Sequence, residues 1–265
     1  MSQDLAGLAS FARTLAAAAR LETLPRCRGG LGGVGNKAPH GFDPVTESDT
    51  EAELAMRRLI EQGFPGHGIK GEEFPDRASA GDLCWSLDPI DGTRAYVCGL
   101  PSWATLIALL DGRGPILGLV DVPRLDELYI GYEDKAVVVG AGGERTIRTS
   151  ACRSLGAARL STTDPFLFEG AEAEAFGRLR RAARLTRYGL DAYGYAQVAA
   201  GGLDLVVESG LKPHDYNAIV PLVRAAGGAV SNWEGGPELG SGRIVAAASA
   251  PLLEEAVGHL SGARN

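Results

Sequence analysis

Apolar residues recur every three or four positions near the start of the chain, at Leu5, Leu8, Phe11, Leu15 and Ala19, so the first two dozen residues read as an amphipathic helix. The run Gly29-Gly30-Leu31-Gly32-Gly33-Val34-Gly35 ends that pattern. It lacks the GxxxxGK[ST] spacing of a phosphate loop and reads as a surface loop, and Lys37 after it is a solvated charge or a basic group beside an anion site. A second helical pattern opens at Thr46 and carries Leu54, Met56, Leu59 and Ile60 to a stop at Gly63. Residues 69–74 read as a short strand ending in two acids, Glu72 and Glu73, which alternation would point to opposite faces. From 104 onward the apolar segments 104–110, 116–122, 128–131 and 136–139 are separated by hairpin-length connections, which argues an antiparallel sheet. Beyond 150 strands expected at 158–161, 184–187, 203–208, 230–232 and 244–247 alternate with helices expected at 171–183, 191–200, 215–226 and 251–260, the rhythm of an α/β half.

This change of rhythm sets a soft boundary near residue 150: an N-terminal α+β half over 1–150 and a C-terminal α/β half over 151–265. At 265 residues, 45% hydrophobic and 22% charged, the chain can bury a large core as one domain or two intimate halves. A net charge of −7 predicts no nucleic-acid surface, and an acidic protein acting on an anion needs cations to reverse the local field. Cys27, Cys84, Cys98 and Cys152 form no CxxC pair and read as reduced thiols filling the core. No run reaches the roughly 20 apolar residues of a membrane span, and Asp4 stands where a signal peptide would be basic, so a cytoplasmic protein is expected.

The candidate chemistry is concentrated in Asp88-Pro89-Ile90-Asp91-Gly92-Thr93-Arg94, preceded by Trp85. The expected geometry is a strand ending at Asp88, a turn stiffened by Pro89 and a short helix opening near Gly92. Such a turn aims two carboxylates at one point beside the N–H groups of Gly92 and Thr93, which suits Mg²⁺ and phosphate oxygens. The plainer alternative is an Asp-Pro and Asp-Gly turn whose carboxylates only cap it. Glu72 and Asp88 end two probable strands and could share a metal if those strands are neighbours. Two further acids have capping explanations: Asp49, three residues after Thr46, fits a capping box, and Asp215 an N-cap of the 215–226 helix. His214 and the aromatic residues Trp85 and Trp103 read as structural.

Taken together and in order, Asp43-x-Val-Thr-x-x-Asp49, Gly71-Glu72-Glu73, Asp88-Pro-Ile-Asp91-Gly-Thr93 and Asp215 followed by Gly227-Gly228 resemble the inositol monophosphatase superfamily of Mg²⁺-dependent phosphatases, over roughly residues 35 to 230. The resemblance implies a layered αβαβα sandwich of the inositol monophosphatase and fructose-1,6-bisphosphatase type, and a homodimer. It implies that Glu72, Asp88, the carbonyl of Ile90, Asp91 and Asp215 hold two or three Mg²⁺ ions, replaceable by Mn²⁺. Asp49 and Thr93 would activate the attacking water together with Glu72, the amides of Gly92 and Thr93 would hold the phosphate, and Glu208 would grip the leaving group. His214 stands where the superfamily usually has Trp. The segments Lys212-Pro213-His214-Asp215 and Gly189-Leu190-Asp191-Ala192-Tyr193-Gly194-Tyr195 are similar to the histidinol-phosphate phosphatase branch, which adds Asp191 and His214 to the expected substrate contacts. Histidinol phosphate carries an ammonium and an imidazole, for which acids beyond the phosphate are suited. The competing expectations are inositol 1-phosphate or 3′-phosphoadenosine 5′-phosphate as substrate, and a catalytically idle regulatory relative.

Overall fold

The computed structural model describes residues 4–27, 35–36 and 44–261. Gly29 to Val34, Lys37 and Asp43 lie outside the described residues, so the readings made of them stay expectations. The described elements are α1 (Leu5–Thr23), β1 (Gly35–Asn36), β2 (Pro44–Val45), α2 (Glu47–Gly63), β3 (Gly68–Gly71), β4 (Cys84–Asp91), α3 (Thr93–Val97), β5 (Ala104–Asp111), β6 (Gly114–Val122), β7 (Glu127–Tyr132), β8 (Lys135–Gly140) and β9 (Gly143–Thr146). They continue with β10 (Arg159–Thr162), α4 (Gly170–Ala182), β11 (Leu185–Tyr188), α5 (Ala192–Ala199), β12 (Leu205–Glu208), α6 (Pro213–Asn217), α7 (Ile219–Ala225), β13 (Ala229–Asn232), β14 (Ile244–Ala247) and α8 (Ala250–Leu260). Strands β3 to β9 form one sheet in sequence order, with β3 and β4 parallel and the rest antiparallel. The other large sheet has the order β11-β10-β12-β14-β13.

Side-chain alternation along the strands builds five layers. In β5, Ile107 and Leu109 face α1 and α2, packing with Leu15, Ala16, Met56 and Ile60. Their neighbours Leu106 and Ala108 point the other way, against Ala196 of α5 and Leu222 of α7. The second sheet repeats the scheme: Val206 and Ala246 meet the α5 and α7 layer, while Leu205, Val207 and Val245 meet α4 and α8. The result is the expected αβαβα sandwich.

Five local expectations change. The strand at 69–74 stops at Gly71, so strand alternation does not govern Glu72 and Glu73. The extension of β4 to Asp91 carries it past the expected end at Asp88. The single helix expected over 215–226 is two pieces that break at Ala218. Pro221 has no N–H to donate to the carbonyl four residues back, at Asn217, and the helix is interrupted there. Asp215 is correspondingly the third residue of α6 rather than its N-cap, because Pro213 opens the helix two residues earlier. Finally, of the four cysteines, all free thiols, Cys27 alone is buried and Cys98 is exposed.

The helix break has a structural use. Gly118 of β6 and Gly131 of β7 are cross-strand partners. A Cβ on Gly118 would lie 1.8 Å from the Ala218 carbonyl oxygen, and one on Gly131 2.5 Å from Leu222 Cα. Two bare glycines therefore form the flat seat on which the segment carrying Asp215 rests. Asn217 of α6 also donates to the Ser86 hydroxyl of β4 at 3.1 Å, tying the Asp215 segment to the strand of Asp88.

Candidate active site

The Asp88 to Asp91 stretch is bulged. Asp88 pairs with Leu106 of β5 and Asp91 with Ala104, so three steps on β4 oppose two on its neighbour. On a regular strand positions three apart face opposite ways; the extra residue lets both carboxylates face one cavity. Pro89 occupies the bulge, and its carbonyl accepts the Thr105 hydroxyl at 2.8 Å. Gly92 follows with φ +79, a left-handed turn that a residue with a side chain adopts only under strain. Crowding adds to that requirement, since a Cβ there would meet Asp191 Oδ2 at 2.8 Å. Thr93 opens α3 and donates its hydroxyl hydrogen to the Ile90 carbonyl at 3.0 Å.

Asp88, Asp91 and Asp215 each bring a carboxylate oxygen to within 4.8 Å of the other two. The cavity they share, about 260 Å³, is also lined by Glu72, Ile90, Gly92, Thr93, Asp191 and His214. Because β3 and β4 are parallel neighbours with Gly71 opposite Leu87, Glu72, just past the end of β3, is adjacent to Asp88 within β4. Their carboxyl groups are within hydrogen-bonding reach. Each acid of the trio is oriented by a backbone N–H: Ile90 donates to Asp88 at 3.1 Å, Ala192 to Asp91 at 2.6 Å and Lys212 to Asp215 at 2.7 Å. The Asp215 bond caps α6 from inside its first turn, so the capping reading and the site reading apply to the same side chain.

These carboxyls resist ionisation. Burial, then the charges of Glu72, Asp91 and Asp215, push Asp88 well above the ordinary aspartate range. Asp91 rises through burial and then Asp191 and Asp215, and Asp215 chiefly through burial. Buried like charges favour binding of protons or cations. Hard carboxylate oxygens converging from a bulged strand and a helix start are the donor set that divalent magnesium or manganese takes. The residues therefore fit a metal.

A second cavity of about 190 Å³ adjoins the first, shares Asp91, Asp191 and Asp215 with it, and adds Tyr195, Glu208 and Ile219. Glu208 is buried; Oε1 accepts the Thr163 N–H at 2.6 Å, while Oε2 has no hydrogen-bond partner among the described residues, nor does the Tyr195 hydroxyl. Burial raises Glu208 to about 8. Asp191 has φ +48 and ψ −140, a strained conformation for a residue with a side chain, and burial raises it to about 6 against the opposing pull of Thr163 and Arg94.

Asp49 comes from α2. It lines neither cavity; it is buried in the first turn of α2, where Oδ2 accepts the Thr46 N–H at 2.8 Å and the Thr46 hydroxyl at 2.6 Å. The capping box expected of it is present. The neighbouring Ser48 hydroxyl is 2.7 Å from the hydroxyl of Tyr96 on α3, which links this helix start to the Thr93 segment. Sequence reasoning missed Arg94, Thr163, Lys212 and Tyr195. Arg94, Lys212 and Tyr195 sit inside segments already singled out, whereas Thr163, directly after β10, carries no sequence signal of a site.

Comparison with known proteins agrees with this geometry. The model of the inositol monophosphatase family matches residues 4–263. The chain is 44% identical over 196 residues to the chloroplastic bifunctional phosphatase IMPL2 of Arabidopsis thaliana; this covers 73% of the chain and only 56% of the plant protein. It is 36% identical over 231 residues to a histidinol-phosphatase of Streptomyces coelicolor, covering 82% of the chain and 84% of that protein. Among solved structures, an inositol monophosphatase from Zymomonas mobilis superposes with a TM-score of 0.83 at 34% identity, covering 98% of this chain and all of that one. With fold, acidic cluster and full-length family match in agreement, the chain belongs to the inositol monophosphatase family, a family of metal-dependent phosphoric monoester hydrolases.

Proposed function

We propose that this protein is a Mg²⁺-dependent phosphatase that hydrolyses L-histidinol phosphate to L-histidinol and phosphate. The observation that carries the reading is the second cavity, where buried Glu208 and strained Asp191 stand beside the acidic trio. A leaving group seated there meets two acids whose ionised forms an ammonium would stabilise, which favours one carrying an ammonium over a neutral polyol. The kinship with proteins named histidinol-phosphatase points the same way.

In this reading Glu72, Asp88, the Ile90 carbonyl, Asp91 and Asp215 hold the cations. Divalent cations held there supply Lewis acidity toward the phosphoryl oxygens and make water a nucleophile near neutral pH. The amides of Gly92 and Thr93 hold the phosphate, made approachable by the left-handed turn at Gly92. Since the Thr93 hydroxyl spends its hydrogen on the Ile90 carbonyl, its lone pairs are free to accept a hydrogen bond from the attacking water and so orient it. The proton of that water goes to a carboxylate, Glu72 or Asp49. Glu208 and Asp191 bind the ammonium, and His214, at the mouth beside Asp215, contacts the substrate. A cytoplasmic homodimer, and a division into halves at about residue 150 with Asp215 and the specificity residues in the second, belong to the same proposal.

Initial rates on histidinol phosphate, inositol 1-phosphate, fructose 1,6-bisphosphate and 3′-phosphoadenosine 5′-phosphate, with and without Mg²⁺, test it. Histidinol phosphate is expected to lead in kcat/KM by at least about tenfold, or about 1.4 kcal/mol. A lead by inositol 1-phosphate would overturn the substrate, and phosphate release indifferent to Mg²⁺ would overturn the mechanism.

A further inference from the structure

The helix that carries Asp49 also bears a buried ion pair with no part in the chemistry above. Glu53, fully buried one turn after Asp49, accepts the Arg57 Nε–H on Oε1 at 2.7 Å and the backbone N–H of Glu73 on Oε2 at 2.8 Å. Arg57, itself buried, donates a second bond to the Phe74 carbonyl at 3.1 Å and lies 5.7 Å from the centre of the Phe74 ring. On the near side, a Cβ at Gly71 would come to 1.9 Å from Glu53 Oε1. The backbone on both sides of Glu72 is therefore held against one carboxylate and its arginine. β3 ends at Gly71, so this pair takes over where the strand stops.

Buried ion pairs add little net stability, because desolvation offsets their attraction. What such a pair does supply is fixed geometry. We infer that Glu53 and Arg57 are positioning residues that set the backbone of residues 71–74, so that the Glu72 carboxylate meets Asp88 at the cation site. One helix then carries the proposed proton acceptor Asp49 and, through Glu53, fixes Glu72. This inference rests on the proposed role of Glu72 as a cation ligand.

Calorimetric titration of the full chain with Mn²⁺ alone tests it, on Glu53→Gln, Arg57→Lys and Gly71→Ala, with Glu72→Gln as reference and Leu179→Ala, in the distant α4 core, as a control for lost stability. Partners that orient metal ligands typically cost about 10- to 100-fold in affinity when changed, and Mn²⁺ binding by Glu53→Gln and Arg57→Lys is expected to weaken within that range. Gly71→Ala, which presses on Glu53 without touching a charge, should weaken it in the same direction. The Mg²⁺ concentration for half-maximal rate should rise in parallel while kcat at saturating Mg²⁺ changes little. Wild-type Mn²⁺ affinity in folded Arg57→Lys, the mildest change, overturns the inference even if Glu53→Gln does not fold, and so does an equal loss in Leu179→Ala. Unchanged affinity in Glu72→Gln would instead overturn the reading of the site itself.

Discussion

Two sets of buried carboxylates lie side by side in this molecule, and their neighbours set them apart. Asp88, Asp91 and Asp215 crowd one another, whereas Glu208 faces an amide on one oxygen and no described partner on the other. The crowded set can be relieved only by positive charge shared among several oxygens; the solitary acid needs a single proton or a single cationic group. Burial alone thus assigns no role to an acid. The count and direction of its neighbours does.

The largest break in that contrast comes from the crowded set. Asp91→Asn should lower phosphate release at saturating Mg²⁺ by about 10²- to 10³-fold, as loss of one preorganised electrostatic group does, while the fold persists by circular dichroism. A rate within a few fold of wild type would remove Asp91 from the centre.

Next in size, Gly92→Ala strains a φ of +79 and pushes its Cβ into Asp191, disturbing both sets at once. Displacements near 1 Å at an active site cost about 10²-fold, and a loss of this order in kcat/KM is expected.

Changing the solitary acid should be milder and selective. Glu208→Gln should reduce kcat/KM on histidinol phosphate by about tenfold, the value of one hydrogen bond to a charged group, and spare inositol 1-phosphate. Its pH signature has a definite sign. Glu208 titrates near 4.5 unfolded and at about 8 folded, so the folded protein keeps a proton that the unfolded chain has lost. Stability from this site falls as pH rises from 4.5 through 8. Glutamine cannot ionise, so metal-free Glu208→Gln should melt higher than wild type at pH 8 and nearly together with it at pH 5.

The smallest effect is a control remote from both sets. Burial lowers the pKa of His67, whose Nδ1 accepts the Trp85 indole N–H at 3.1 Å. Its contribution is complete above the unfolded value of about 6.5 and fades as pH falls through the lower folded value. Melting temperature should drop between pH 7 and 5, and drop less in His67→Gln. Equal drops would locate the acid sensitivity elsewhere.

How far these features could be read beforehand follows from how local they are. Asp88-Pro-Ile-Asp-Gly-Thr announced itself because bulge, turn and ligands lie within six residues. The elements were legible because the apolar runs of β5 and β6 and the helical spacing of α1 and α2 are properties of single segments, whereas their stacking into five layers was implied only by the family resemblance. Asp215 was found, though the N-cap lies three residues earlier, at Lys212, since Pro213 and Pro221 together reshaped the helix. Glu53 and Thr163 were missed for a different reason: each meets the site through a backbone contact distant in sequence, Glu53 with Glu73 and Thr163 with Glu208.

Tyr96 carries one last consequence. Its hydroxyl reaches the Thr23 carbonyl at the end of α1 and Ser48 at the start of α2, while its own helix begins at Thr93. The amino-terminal helix is thereby moored, through this phenol, to the turn proposed to face the phosphate. A shortened chain lacking α1 would lose more than a patch of core: the loop at the reaction centre would be cut adrift from its anchor.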